Sequence, residues 1–132
     1  MSKLSKIALF VYNRPVHTSR VLNSLNNNYL SEKSEVYIFS DYPKSKKDIK
    51  NVSEVRKIIK NFKGFKKKRI ILRKKNFGLA KNFISGINQL LNKFEKLIVL
   101  EDDNFTSPYF LTFMNDALEL YKNSSKVGSI SG

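Results

Sequence analysis

The sequence contains no cysteine and a single histidine, His17. Disulfides and thiolate metal sites are therefore excluded, and the lack of cysteine fits a cytoplasmic protein. Neither a Ser/His/Asp nor a Cys/His catalytic arrangement can be built from this composition. His17 falls early in a helical stretch, and no role is assigned to it. No apolar run approaches the roughly 20 residues of a membrane span. The opening Met1-Ser2-Lys3-Leu4-Ser5-Lys6 leads straight into a strand-like segment, without the apolar region and cleavage site of a signal peptide. No internal repeat or low-complexity segment interrupts the chain. Acidic residues are scarce: 11 against 25 lysines and arginines, a net charge of +14. Most of the excess lies between Lys44 and Lys81, in clusters such as Lys66-Lys67-Lys68-Arg69 and Arg73-Lys74-Lys75. Such a field favours anionic partners or forms a solvated basic face.

What is present is an alternation of strands and helices. The 132 residues, 41% of them hydrophobic, suffice for one core. Ile7 to Tyr12 is a continuous apolar run, as in a strand buried on both faces. Pro15 then opens a helix carrying Val16, Val21, Leu22 and Leu25. Val36 to Phe39 reads as a second strand. A helix follows with Val52, Val55, Ile58, Ile59 and Phe62 at helical spacing. Arg69 to Leu72 reads as a third strand, and Gly78 to Leu91 as a helix with Leu79, Phe83, Ile84, Ile87, Leu90 and Leu91 on its apolar face. Leu97 to Leu100 is a fourth strand. Ser107-Pro108 opens a fourth helix, as cap and first turn, through about Tyr121. Val127 to Ser131 resembles the start of another strand. This order predicts an α/β fold: a mainly parallel Rossmann-like sheet with helices on both faces.

Ligands of such sheets bind beyond the carboxyl ends of the strands. The polar segments fall there. Glu101-Asp102-Asp103 ends the fourth strand, and three adjacent carboxylates repel one another unless a hard cation such as Mg²⁺ or Mn²⁺ relieves them. A solvated turn with a capping aspartate is the simpler reading of the same residues. Asp41, after Ser40, is placed to bind a base or ribose, or to make an Asx-turn before Pro43. Asn76, Gly78 and Lys81 surround a helix start that offers free N–H groups to an anion. The segment is not a P-loop, because Gly-Lys-Ser/Thr is missing. Tyr12 could stack on a base and Arg14 could reach a phosphate. Asn13 lies between them, alternatively as a helix cap.

Taken together, Phe10-Val11-Tyr12-Asn13-Arg14-Pro15, Phe39-Ser40-Asp41, Asn76 to Asn82 and Val99-Leu100-Glu101-Asp102-Asp103 resemble the GT-A glycosyltransferases, particularly family-2-like bacterial sugar transferases. Leu100 to Asp103, continuing to Ser107-Pro108-Tyr109-Phe110, is similar to the Glu-Asp-Asp form of the Asp-X-Asp motif in N-acetylglucosaminyltransferase I-type enzymes. The resemblance covers essentially the whole chain, in order. It implies a hexosyltransferase with a UDP-sugar donor, Mn²⁺ or Mg²⁺, and a glycan, lipid or protein acceptor, in cell-surface glycan synthesis. Asp103 would ligate the metal, and Glu101 and Asp102 would contact ribose and donor sugar. Asp41 would bind uracil. Tyr12 and Arg14 would line the base pocket together with Asn13, and Asn76, Gly78 and Lys81 would border the nucleotide site. The acceptor site and the general base of inverting members would lie beyond residue 132, so residues 1–132 read as one nucleotide-sugar-binding domain cut before its acceptor-binding part. An apolar patch left bare by such a cut would promote self-association.

Two rivals compete with this reading. One is a nucleic-acid-binding module, suggested by Phe62, Phe65 and Phe77 among lysines; the carboxylate cluster opposes it, and no nucleic acid is expected. The other is a metal-dependent nucleotidyltransferase. The basic stretch would also suit peripheral contact with the anionic inner face of a membrane.

Overall fold

The computed structural model describes residues 4–121. The strand expected from Val127 to Ser131 lies outside the described residues. Four strands, β1 (Lys6–Val11), β2 (Glu35–Ser40), β3 (Lys67–Leu72) and β4 (Leu97–Glu101), alternate with α1 (Pro15–Asn26), α2 (Ile49–Asn61), α3 (Leu79–Leu91) and α4 (Phe110–Tyr121). The sheet is entirely parallel, in the order β3-β2-β1-β4. β1 is central, and all but its first residue are buried. Its register pairs Leu9 with Ile38 and Leu100, and Phe10 with Phe39 and Glu101.

The strand order explains the layers. From β1 to β3 the chain steps in one direction across the sheet; from β3 to β4 it steps back past β1. Crossovers keep one hand, so a reversed step moves its helix to the opposite face. Accordingly Ile7, Leu9 and Val11 share a core with Leu22 and Leu25 of α1, Val55 and Ile59 of α2, and Leu111 and Met114 of α4. Ala8, Phe10 and Phe39 face the other way, toward Phe83, Ile87 and Leu90 of α3. The expected α/β architecture with helices on both faces is therefore the observed one.

On the α3 side, Phe10 stacks on Phe39 at a centroid distance of 4.9 Å and meets Phe83 at 4.7 Å. α3 comes this close because residue 86 is glycine: a Cβ there would stand 2.8 Å from the Phe10 ring. On the other side, α4 is fastened by two buried amides. Asn28 accepts from the Leu111 N–H at 2.8 Å, and Asn115 accepts from the Ser5 N–H at 2.7 Å. Lys68 of β3 donates to the carbonyls of Ile59 and Phe62, both at 2.6 Å, closing the C-terminal end of α2.

Several boundaries differ from the sequence expectation. β3 begins two residues earlier, at Lys67. α4 begins at Phe110 rather than at Ser107-Pro108; those residues form a turn in which the Ser107 carbonyl accepts from the Phe110 N–H. The residue capping α1 is Arg14, with no side-chain cap bond, and not Asn13. Val16 is 65% exposed, and on α3 Leu79, Ile84 and Leu91 are exposed. The buried stripe of α3, Asn82, Gly86 and Leu90, meets the sheet with Phe83 and Ile87 beside it, and this face is too narrow to cover every apolar residue of the helix.

Candidate functional site

A cavity of about 380 Å³ opens beyond the carboxyl ends of the strands. All four strand ends contribute to it: Tyr12, Asn13 and Arg14 after β1, Asp41 after β2, Asn76 and Gly78 after β3, and Glu101 and Asp102 of the β4 end. The strand order reverses between β1 and β4, which places the first and last of these groups at the switch point. Eight of the ten residues singled out in the sequence line the cavity. The other two, Lys81 and Asp103, are exposed and do not line it.

Arg14 and Asp102 bridge the switch point. Arg14 Nη2 donates to Asp102 Oδ1 at 2.5 Å, and Nε to Oδ2 at 3.3 Å, the two-pronged geometry a guanidinium offers a carboxylate. Asp102 is buried, whereas the Arg14 side chain is about half exposed (47%). Burial pushes the Asp102 carboxyl above the ordinary aspartate range, and the Arg14 charge and hydrogen bonds pull it back. Asp102 does not cap a helix. It sits in a turn that Asn104 closes by accepting from the Glu101 N–H at 2.8 Å.

Asp41 builds the wall at the β2–β3 side. Its Oδ1 accepts from the N–H groups of Tyr42 (2.8 Å) and Phe77 (2.9 Å). Its Oδ2 accepts from the Gly78 N–H (3.0 Å) and, at 3.4 Å, from the Asn76 amide. One carboxylate thereby organises the loop into α3, filling its four acceptor positions. Gly78 adopts φ 82°, a left-handed value that glycine tolerates and other residues resist. Lys81 lies over the Phe77 ring at 4.9 Å, and Arg73 lies over the same ring at 4.5 Å.

The β1 side is braced by Asp48, at the start of α2. It accepts from the Tyr12 hydroxyl at 2.9 Å and the Asn13 amide at 3.0 Å. These bonds, Asn13 first and Tyr12 second, hold the Asp48 carboxyl below the ordinary range. The Tyr12 phenol also accepts from the Lys44 N–H at 2.9 Å, and burial raises its pKa.

Sequence reasoning missed Asp48, Arg56, Arg73 and Asn82. Arg56 projects from α2 and donates to the carbonyls of Ser40, Asp41 and Arg73 at 2.9 to 3.2 Å, tying the ends of β2 and β3 together. Arg73 donates to Asn82 at 2.9 Å. Arg56 was findable: it stands four residues after Val52, on the buried side of α2. Asp48 carried a weaker clue, a short acidic side chain just ahead of a helix.

The donors at the β4 end fit a hard cation only in part. Asp102 is committed to Arg14. The Glu101 and Asp103 carboxylates on either side make no hydrogen bond or ion pair among the described residues. No group of three His, Cys, Asp or Glu side chains forms a cage there, again among the described residues. Mg²⁺ binds in this manner, through one or two carboxylates plus substrate phosphates. A cation at this turn would have one or two carboxylates at most and would need substrate phosphates to complete its shell.

No known protein family's sequence profile matches the chain, and no curated protein matches it in sequence. Solved structures do match in fold. S. aureus TarS superposes with a TM-score of 0.57 at 17% identity, over 88% of this chain and 20% of TarS. The 1–349 fragment of TarS superposes with a TM-score of 0.53 at 15% identity, over 88% of this chain and 33% of the fragment. The chain thus spans between a fifth and a third of those proteins. At these identities the likeness is one of fold: the chain shares a Rossmann-like α/β fold with TarS.

Proposed function

We propose that this chain is the nucleotide-sugar-binding domain of a metal-dependent glycosyltransferase that uses a UDP-sugar donor. The observation that carries the reading is the cavity over the strand-order reversal, walled by residues from all four strand ends and flanked by the Glu101-Asp102-Asp103 turn. The fold shared with TarS supports it.

In this reading the uracil lies toward Asp41 and Tyr12. A base N–H would take the place of the longest Asp41 bond, the 3.4 Å one from Asn76. Tyr12 is held through its hydroxyl by Asp48 and Lys44, so its ring is positioned before any ligand arrives. Asp102 fixes Arg14 at the centre, where its half-exposed guanidinium can meet a diphosphate. Glu101 and Asp103 would hold Mn²⁺ or Mg²⁺, which would supply neutralisation of charge on the departing nucleotide.

Nucleotide preference separates this function from that of a nucleotidyltransferase. In thermal-shift titrations with Mn²⁺, UDP and UDP-sugars are expected to stabilise the chain at lower concentration than UTP, CTP or GTP. A clear preference for any nucleoside triphosphate would assign the cavity to nucleotidyl transfer.

A further inference from the structure

Between Lys44 and Lys81 stand sixteen lysines and arginines against two acids, Asp48 and Glu54. That surplus equals the +14 of the whole chain; the remaining residues balance. The fold gathers this segment at one margin of the sheet, since it comprises α2, the edge strand β3 and the loop into α3. Three of the sixteen cations, Arg56, Lys68 and Arg73, are half-buried and serve the fold by binding carbonyls or Asn82. The other thirteen are exposed. Among the described residues the ion pairs are Lys6–Glu35, Arg14–Asp102 and Lys96–Glu119, and none draws on this segment. The charge wraps the margin. Lys57 and Lys60 stand on α2, Lys63 follows it, and Lys67 and Arg69 lie on the sheet face opposite the one where Lys68 meets α2. The acidic turn at β4 lies across the sheet, on the opposite edge strand, so it does not neutralise the patch.

A patch of this kind suits either a polynucleotide or an anionic lipid surface. Nonspecific binding of single-stranded nucleic acid combines a basic groove with aromatic faces on which bases stack. The three phenylalanines of the segment do not offer them. Phe62 and Phe65 pack on each other at 5.7 Å and against the core, and Phe77 lies under Arg73 and Lys81. What remains is a broad array of flexible, mostly lysine charges, the chemistry that acidic headgroups attract without shape or base recognition. We infer that the β3 margin, from α2 around the edge strand, is a docking surface for an anionic lipid bilayer. Lys44, Lys74 and Lys75 continue the array to the carboxyl end of the sheet, so docking brings the cavity mouth near the lipid surface. Docking of this kind does not depend on the glycosyltransferase reading.

The test is sedimentation of the full chain with vesicles at physiological salt. One set is phosphatidylcholine alone and the other is phosphatidylcholine mixed with phosphatidylglycerol. Binding is expected only to the mixed vesicles, and raised salt should weaken it. Replacing Lys57, Lys60, Lys63 and Lys67 by glutamine should lower the partition coefficient, by up to about fivefold for each lysine removed. Lys33→Gln with Lys93→Gln, exposed positions outside the segment, should leave it nearly unchanged, and all variants should keep the parent melting temperature. Equal partition onto both vesicle sets, no binding to either, or an unchanged quadruple variant would overturn the inference. So would a single-stranded oligonucleotide that binds at the same salt more tightly than the mixed vesicles.

Discussion

Gly78 donates its backbone N–H to Asp41 across 37 residues of sequence, at 3.0 Å, and this bond joins the end of β2 to the start of α3. Asp41 is only 4% exposed, and its carboxylate is filled by donors from the Tyr42–Gly78 wall of the cavity. Removing it leaves three part-buried N–H groups without acceptors. Asp41→Ala should lower unfolding free energy by about 3 kcal/mol and weaken nucleotide binding together with it. Asp41→Asn should cost less, since one carbonyl acceptor survives. Urea denaturation checks both; an unchanged midpoint for the alanine variant would mean the carboxylate does not organise the loop.

Gly86 is the second structural constraint. A helix-interior alanine normally gains about 1 kcal/mol over glycine. Here the added methyl would press on Phe10 at 2.8 Å and Phe39 at 3.1 Å, and overpacking costs about 1–3 kcal/mol. Gly86→Ala should therefore destabilise by about 1 kcal/mol, and Phe10→Leu in the same chain should recover part of it. A rise in melting temperature for the single variant would show that α3 can move away from the sheet.

Asp102 and Arg14 yield a pH prediction. Burial raises the Asp102 pKa, so the ionised form is the one the fold disfavours, and Arg14 offsets this. In Arg14→Gln the carboxyl should rise further. The variant should lose about 2 kcal/mol at neutral pH, discounted because the arginine is half exposed. The loss should shrink as pH falls through the raised Asp102 pKa, where protonation removes the buried charge. Unfolding free energies measured from about pH 7 to about pH 4 follow this directly; a loss constant across that range would place its cause elsewhere.

Asp48 behaves with the opposite sign. Its pKa is lowered by hydrogen bonds from Asn13 and Tyr12. Its contribution to stability is present above the ordinary aspartate pKa and is lost as pH falls through the lowered one. Tyr12→Phe should move the Asp48 titration midpoint up toward the ordinary value. Carboxyl-carbon NMR resolves it, and an unmoved midpoint would show that the phenol does not hold the carboxylate in solution.

Much of the fold was legible because the apolar runs are clean. Ile7 to Tyr12 reads as a doubly buried strand, and the strand is Lys6–Val11 with Ile7 to Val11 buried; most of the polar residues expected after each strand fall around one cavity because parallel strands end on the same side. The helix faces were less legible. Phe83, Ile87 and Leu90 of the expected face meet the sheet around Gly86, whereas Leu79, Ile84 and Leu91, which continue the same apolar pattern, are left exposed. The side-chain scaffolding was hardest to read. Asp48 and Arg56 act on residues 15 to 36 positions away, and nothing in their local sequence specifies those partners. The same holds for Arg14, whose ion pair with Asp102 spans 88 residues.

The most direct test of the donor-site claim is a calorimetric titration of the chain with UDP, with and without Mn²⁺, repeated on Asp103→Ala. The predicted result is UDP binding that requires the metal and is weakened at least about tenfold in the variant, a loss of ~1.4 kcal/mol. UDP binding that is indifferent to both Mn²⁺ and Asp103, or no UDP binding with or without the metal, would contradict it.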